Sequence, residues 1–317
     1  MGMTRILYAS DFHGSEAFYR KFLAAAIQYQ ANALIVGGDV TGKAMVPIIH
    51  QSNGHYHASL FGRREEATNA QELDRLKLTI SNVGFYPIVL DVDEAEALEN
   101  DPQAMGKRFE KEMCDRVLAW MELFEEKFKG KGITLYFMPG NDDLATIDTF
   151  INGHEHVRNP DMHHFWLDED HEIVGLSNAN MTPWQCARDV EEDALQAKLN
   201  ELESMLEKPS QAVAVLHVPP YDSGIDVCPE LDKNLKIVTQ GGQVMMKPVG
   251  SISVRNFLEK VQPLLSLHGH IHEAPGHVRI GRTLAVNAGS EYAEGILKAA
   301  IINIEKDKVK GHILISG

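Results

Sequence analysis

The segment Ile6-Leu7-Tyr8-Ala9-Ser10-Asp11-Phe12-His13-Gly14 decides how the rest of the chain reads. A short run of apolar and small residues stops at a glycine-containing turn, the pattern of a buried strand. The turn carries a carboxylate and an imidazole two positions apart. Residues i and i+2 of an extended chain point the same way, so Asp11 and His13 can ligate one ion together. An Asp-x-His of this kind is common by chance, and its weight comes from similar turns further along the chain.

The same arrangement recurs four times. Ala33-Leu34-Ile35-Val36 leads into Gly37-Gly38-Asp39, and Ile133–Met138 leads into Pro139-Gly140-Asn141-Asp142-Asp143. Ala212–Leu216 leads into His217, and Leu264–Leu267 leads into His268-Gly269-His270-Ile271-His272. Ligands of α/β sheets bind at the carboxyl ends of strands, so these turns are expected to converge. The glycines before Asp39 allow a sharp turn and close backbone approach. The two oxygens of Asp39 can bridge two cations. Asn141 offers a neutral carbonyl oxygen, and His270 and His272 place two imidazoles on one side. Donors of nitrogen and oxygen without thiolate suit Mn, Fe, Zn or Mg rather than softer ions.

Helical periodicity separates the strand-like runs. Ser15–Gln30 shows an apolar stripe of Ala17, Phe18, Phe22, Leu23, Ala26 and Ile27. Residues 107–129, 189–207 and 253–261 read as further helices, the acidic 189–207 as one with a solvated face. Strand alternating with helix implies the α/β class. The run 299–315 reads instead as an antiparallel hairpin, and a sandwich of two sheets covered by helices reconciles both signals. Residues 1–317 are read as a single domain. Residues 43–106 form an insertion beside the core, with a hairpin at Gly54–Gly62 and a helix at 69–83. Residues 222–250 form a loop insertion near the site.

The formal net charge of -15 argues against broad binding to nucleic acid, which needs a basic surface. It is compatible with a small phosphorylated substrate, because bound cations reverse the local field. Three scattered cysteines, Cys114, Cys186 and Cys228, form no disulfide framework or CxxC motif. No apolar run approaches the ~20 residues needed to span a bilayer, and no signal-like segment precedes the first strand. These features lead to the expectation of a cytoplasmic protein with no membrane partner. The aromatic residues Phe109, Trp120, Phe124 and Phe128 suit core packing, with a homo-oligomer contact through the 43–129 region as the alternative. Of the 15 histidines, His55 and His57 repeat the H-x-H spacing inside the insertion and are read as decoys.

The order Asp-x-His, Gly-Asp, Gly-Asn, His, Gly-His-x-His resembles the calcineurin-like metallophosphoesterase superfamily. The likeness runs from residue 5 to about 290 outside the two insertions, and Val286-Asn287-Ala288-Gly289-Ser290 resembles the family's Asn-Pro-Gly-Ser turn. Among its branches the chain is most similar to the predicted cytosolic phosphoesterases related to the cyclic-nucleotide phosphodiesterase group. The resemblance implies a four-layer αββα sandwich with two mixed sheets (α+β by some schemes) and two divalent metal ions, Mn or Fe before Zn or Mg. Asp11, His13, Asp39 and His272 would hold one ion, and Asp39, Asn141, His217 and His270 the other. Two cations about 3.5–4 Å apart lower the pKa of a water between them and clamp phosphoryl oxygens during in-line displacement. The implied activity is hydrolysis of a phosphodiester or a small phosphorylated metabolite.

One position departs from the family pattern. Asp142 stands where the superfamily has the histidine that contacts phosphate and is proposed to protonate the leaving group. An ionised carboxylate repels phosphate, and a raised pKa would be needed for Asp142 to serve as the acid. Asp142 therefore keeps open a non-catalytic metal-binding scaffold or interaction module of the same fold, like the retromer scaffold subunit. A DNA-repair type nuclease is a third reading, disfavoured by the acidic balance.

Overall fold

The computed structural model describes residues 2–317. Two six-stranded sheets form its centre. In the first, Thr4–Ala9, Ala33–Gly37 and Thr134–Met138 run parallel, and the hairpin Lys298–Glu305/Lys308–Ser316 adds antiparallel to Thr4–Ala9. In the second, Glu172–Leu176, Val213–Leu216, Leu265–His268 and Thr283–Asn287 run parallel, with antiparallel strands His164–Trp166 and Gly276–Ile280 at its edges. Both sheets are mixed, as expected.

The period of two along the first strand explains the stacking. Ile6 and Tyr8 face the second sheet and pack with Ile35, Tyr136, Ile173, Val215 and Leu267. Leu7 and Ala9 point the other way, onto Phe18, Phe22, Val117, Trp120 and Phe124 of the covering helices Glu16–Gln28 and Pro102–Phe128. On the far side, Val174, Leu176, Ala214 and Leu216 pack against Leu195, Leu199, Val254 and Phe257 of helices Glu192–Met205 and Ile252–Val261. Strands covered on both faces read as unbroken apolar runs, and the result is the four-layer αββα sandwich.

Local signals set the helix boundaries. Ser15 caps the first helix by accepting from the Phe18 amide. The long helix starts at Pro102 rather than 107, because Asp101 caps it and proline suits the first helical turn. Trp120 on that helix is buried, stacks on Tyr19 at 4.3 Å between ring centroids, and donates from Nε1 to Glu16 Oε2 at 2.7 Å. Truncating such a side chain costs about 3–5 kcal/mol. Trp120, Phe124 and Phe128 are therefore core packing, while Phe109 is half-buried against Tyr86.

Residues 45–90 build a four-stranded sheet in the order Arg63–Ala67, Tyr56–Leu60, Met45–His50, Tyr86–Leu90. It has its own small core of Val46, Ile48, Leu60, Leu76 and Ile80. The expected hairpin at Gly54–Gly62 is corrected: this stretch is one strand with a turn at each end, because Gly54 and Gly62 both sit in turns with positive φ. The helix expected over 69–83 spans Ala70–Asn82 behind the capping residue Asn69. The 222–250 segment is a β-arm, with Val227–Pro229 paired to Met246–Pro248 and Thr239–Gln240 to Gln243–Val244. The acidic helix begins at Glu192 rather than 189, and it is not merely solvated, since Glu192 accepts from Ser251 Oγ and the Ser253 amide at 2.9 Å each.

Candidate metal centre

Because the central strands are parallel within each sheet, their carboxyl ends gather at one edge of the sandwich. Asp11, Asp39, Asn141, His217, His270 and His272 follow directly from those ends. Three groups of donor atoms meet there: Asp11, His13 and His272; Asp39, His217 and His270; and His13, Asp39 and Asp142. Asp39 belongs to the second and third groups and reaches the first through His13. Its Oδ2 is 3.6 Å from His13 Nε2 and its Oδ1 is 3.3 Å from His217 Nε2. Asp11 Oδ1 is 3.3 Å from His272 Nε2, and His13 Nε2 is 3.3 Å from His272 Nε2.

The backbone is bent to bring these groups inward. Asp11, His13, Asp39 and His270 have φ of 59°, 41°, 49° and 64°. A non-glycine residue in a sparsely populated region costs of order 1–3 kcal/mol and persists only when its surroundings enforce it. Here the Asp11 amide donates to the Gly38 carbonyl and the His13 amide to the Asp39 carbonyl, both at 2.9 Å. The His270 amide donates to Asp11 Oδ1 at 3.0 Å, and Ser290 Oγ donates to the Asp11 carbonyl at 2.7 Å. Gly38 is required by contact as well as by its φ of 121°: a Cβ there would sit 2.3 Å from His217 Nδ1.

Several buried polar atoms are aimed into the centre with no hydrogen-bond partner, among them Asn141 Oδ1 and His217 Nε2. Their other ends are held. His217 Nδ1 donates to the Gly37 carbonyl at 2.8 Å, which leaves Nε2 facing the cluster. Asn141 Nδ2 donates to Asp189 Oδ1 at 2.7 Å, which turns the amide oxygen inward. Buried polar atoms are rarely left unsatisfied, and a bound cation would satisfy Asn141 Oδ1 and His217 Nε2. A donor set of imidazole, carboxylate and amide oxygen fits two divalent cations.

The charge states agree. Burial opposes ionisation of Asp11, but His272 beside it prevails and holds the carboxyl at about 2. Burial opposes Asp39 too, and His217 overrides it, so this carboxyl lies well below the usual range. Burial pushes His13 down to about 3 and His270 to about 4, which keeps both imidazoles neutral with a lone pair for a metal. His217 differs: burial lowers it, but Asp39 raises it to about 9.

Asp142 lies at the rim. Its amide donates to Asp39 Oδ1 at 3.0 Å, while its carboxylate is 3.0 Å from Lys43 Nζ and 3.9 Å from His13 Nδ1. Burial works against the Lys43 charge, and Asp142 more than offsets it, so the ammonium is stabilised. Tyr292 covers His13, with ring centroids 4.6 Å apart. His268 faces away, bonded through Nδ1 to the Leu216 carbonyl and through Nε2 to Ser266 Oγ, both at 2.8 Å. His57 lies in strand Tyr56–Leu60 and His55 just before it, both outside the donor groups. His164 pairs with buried Glu172 at 2.7 Å.

Four residues of the site carry no local signal in the sequence. Asp189 orients Asn141. Asp143 accepts from the amides of Val40, Thr41 and Gly140 and so ties the Asp39 loop to the Asn141 loop. Burial, aided by Asp39, raises its carboxyl to about 6. Arg188 clamps the same turn, its amide donating to the Asn141 carbonyl and its Nε to the Asp143 carbonyl at 2.9 Å each. Lys43 follows the Asp39 turn, and only proximity to Asp142 marks it.

No protein-family model and no curated protein matches the sequence. Solved structures similar to this one include TT1561 of Thermus thermophilus, at 14% identity and a TM-score of 0.54 over 100% of this chain and 99% of that one. Another aligns at 14% identity and a TM-score of 0.56 over 99% of both chains. A dimetal phosphatase from Danio rerio aligns at 10% identity and a TM-score of 0.47 over 99% of this chain and 98% of its own. At these identities the likeness concerns the fold. That fold is the α/β sandwich implied by the resemblance to calcineurin-like metallophosphoesterases. Fold and site together define an α/β-sandwich protein with a cluster of histidine and aspartate side chains that could hold a metal ion at the carboxyl edge of its sheets. No helix among the described residues is long and apolar enough to cross a membrane.

Proposed function

We propose that this protein is a metal-dependent hydrolase of phosphoric esters of the calcineurin-like type, using two divalent cations. The observation that carries this reading is the Asp39 carboxylate, which belongs to one donor group with His217 and His270 and to another with His13 and Asp142. Asp11, His13 and His272 would hold one cation and Asn141, His217 and His270 the other, with Asp39 shared. Bound there, the pair supplies charge neutralisation for the phosphoryl group and a nucleophilic hydroxide at neutral pH.

The chain's own residues do the rest. Gly37 and Asp189 fix the orientation of His217 and Asn141, a role whose loss typically weakens metal affinity about 10–100-fold. Lys43 presents an ammonium beside the donors, where it attracts phosphoryl oxygens. Asp142, ion-paired with Lys43, positions that ammonium rather than donating a proton itself. This arrangement favours the enzyme over the non-catalytic scaffold, since the Lys43 charge offsets the repulsion an isolated Asp142 would exert on phosphate.

Replacement Asp39→Asn tests the reading. Metal content measured on purified protein is expected to fall together with Mn²⁺-dependent turnover across a panel of monoesters, diesters and nucleotides, while far-UV circular dichroism is unchanged. Full metal content with full turnover in the variant would overturn the assignment.

A further inference from the structure

A cavity of about 1070 Å³ includes His13, Asp39, Asn141, His270 and His272, and residues of the 181–186 loop and the 222–250 arm line a trough in the same cavity. Its lining away from the donors includes Met181, Trp184, Leu235, Ile237 and Ile252. These are large apolar side chains left in contact with water: Trp184 is 63% exposed and Ile237 is 55% exposed. A contiguous apolar surface of this kind marks a binding site.

The trough is built, not incidental. Asp226 is buried at the base of the 222–250 arm and accepts from the amides of Asp222, Ser223, Gly224 and Gly250. Asp189 pins the loop bearing Met181 and Trp184 by accepting from the amides of Thr182 and Cys186 at 3.0 and 2.9 Å. The same Asp189 orients Asn141. One carboxylate thus anchors both a trough wall and a metal donor, so the apolar surface and the donors belong to one site.

We infer that the substrate is a phosphoric ester carrying an extended aliphatic chain, with its phosphoryl group at the donors and its chain in the trough. The inference rests on the phosphoesterase reading above. Flexible aliphatic side chains such as Met181, Leu235 and Ile237 mould around a chain of methylenes, and the cavity they line is the one that also holds the donors. In the hydrolysis, the oxygen of water bonds to phosphorus and the phosphorus–oxygen bond to the chain breaks. The proton of water passes to the released alkoxide.

The test uses the Mn²⁺-loaded protein and soluble n-alkylphosphonates from ethyl to dodecyl, with inorganic phosphate as the chain-free control. Calorimetric Kd is expected to tighten about two- to fourfold per added methylene over the first several carbons. Trp184→Ser combined with Ile237→Ser is expected to flatten the series while leaving phosphate and ethylphosphonate affinity unchanged. A flat series on the unaltered protein, with phosphate still bound, overturns the chain assignment alone. Loss of phosphate and ethylphosphonate binding despite retained Mn²⁺ overturns the phosphoesterase reading itself. An aryl or nucleoside phosphonate binding more tightly than the octyl compound overturns the aliphatic assignment. Binding to phosphate-bearing lipid vesicles without binding of octylphosphonate would make the trough a membrane-docking surface, which also overturns it.

Discussion

Asn141 donates from Nδ2 to Asp189 Oδ1 at 2.7 Å across 48 positions of sequence. This bond decides which end of the amide faces the metal centre. Without it the Asn141 side chain could turn its NH₂ group inward, and a cation would meet a donor of protons in place of an oxygen. Replacement Asp189→Ala is expected to weaken one of two Mn²⁺ sites by about 10–100-fold and leave the other nearly unchanged. Isothermal titration of Mn²⁺ into the metal-free protein resolves the two. Equal affinities in the variant and the parent would show that Asn141 needs no such support.

His217 predicts a proton count. Asp39 raises this buried imidazole to about 9, so the metal-free protein carries the proton at neutral pH, and a cation must displace it. Binding of Mn²⁺ near neutral pH is therefore expected to release close to one proton from His217. Calorimetry in buffers of different ionisation enthalpy measures the release. In His217→Gln the released count is expected to fall by about one, and an unchanged count would assign the proton elsewhere.

Lys43 and Asp142 predict a coupled effect. Lys43→Met is expected to raise KM for phosphoesters by about tenfold or more, the scale of a lost charge-assisted hydrogen bond, without loss of metal. Asp142→Asn is expected to act weakly on leaving-group dependence and to be non-additive with Lys43→Met. A plot of log kcat against leaving-group pKa decides between the two roles. If Asp142→Asn slows poor leaving groups far more than good ones, Asp142 is the acid and its pairing with Lys43 is secondary.

A fourth expectation concerns acid stability, at the edge away from the site. Asp168 is opposed by burial but accepts from His171 and Thr4, and these bonds hold its carboxyl far below the ordinary range. His171 Nε2 in turn donates to the Lys306 carbonyl at 2.7 Å, so the cluster staples the two sheets. A carboxyl depressed on folding adds stability that is fully present above its unfolded pKa of about 3.9 and is lost as pH falls further. Asp168→Asn is expected to lower Tm at neutral pH and to reduce its decline below the unfolded pKa. Parallel Tm curves for variant and parent through that range would show that Asp168 has no part in acid unfolding.

Much of the fold is legible in the sequence because strands announce themselves locally. Ile6–Ser10, Ala33–Val36 and Ala212–Leu216 are apolar on both faces, and each stops at a polar donor, so both the sandwich and the candidate ligands can be read from short windows. Boundaries are less legible where a capping signal lies outside the apolar pattern, as at Asp101-Pro102. The Gly54–Gly62 stretch misleads because two glycine turns flanking one strand look like one hairpin. Asp189 and Arg188 are invisible because their partners, Asn141 and Asp143, sit on a different element, and no local spacing encodes that approach.

By itself the sequence picked out the candidate donors Asp11, His13, Asp39, Asn141, His217, His270 and His272, their order, and their positions after buried strands. It did so because buried strands read as short apolar runs and the turns that end them carry recognisable residues. Only the tertiary structure decided that Asp39 belongs to two of the donor groups, that four candidate ligands adopt left-handed φ, that Lys43 pairs with Asp142, and that apolar side chains line the same cavity as the donors. Those features depend on how two sheets stack and where the 181–186 loop and the 222–250 arm come to rest, and such distances are set by packing between segments far apart in the chain.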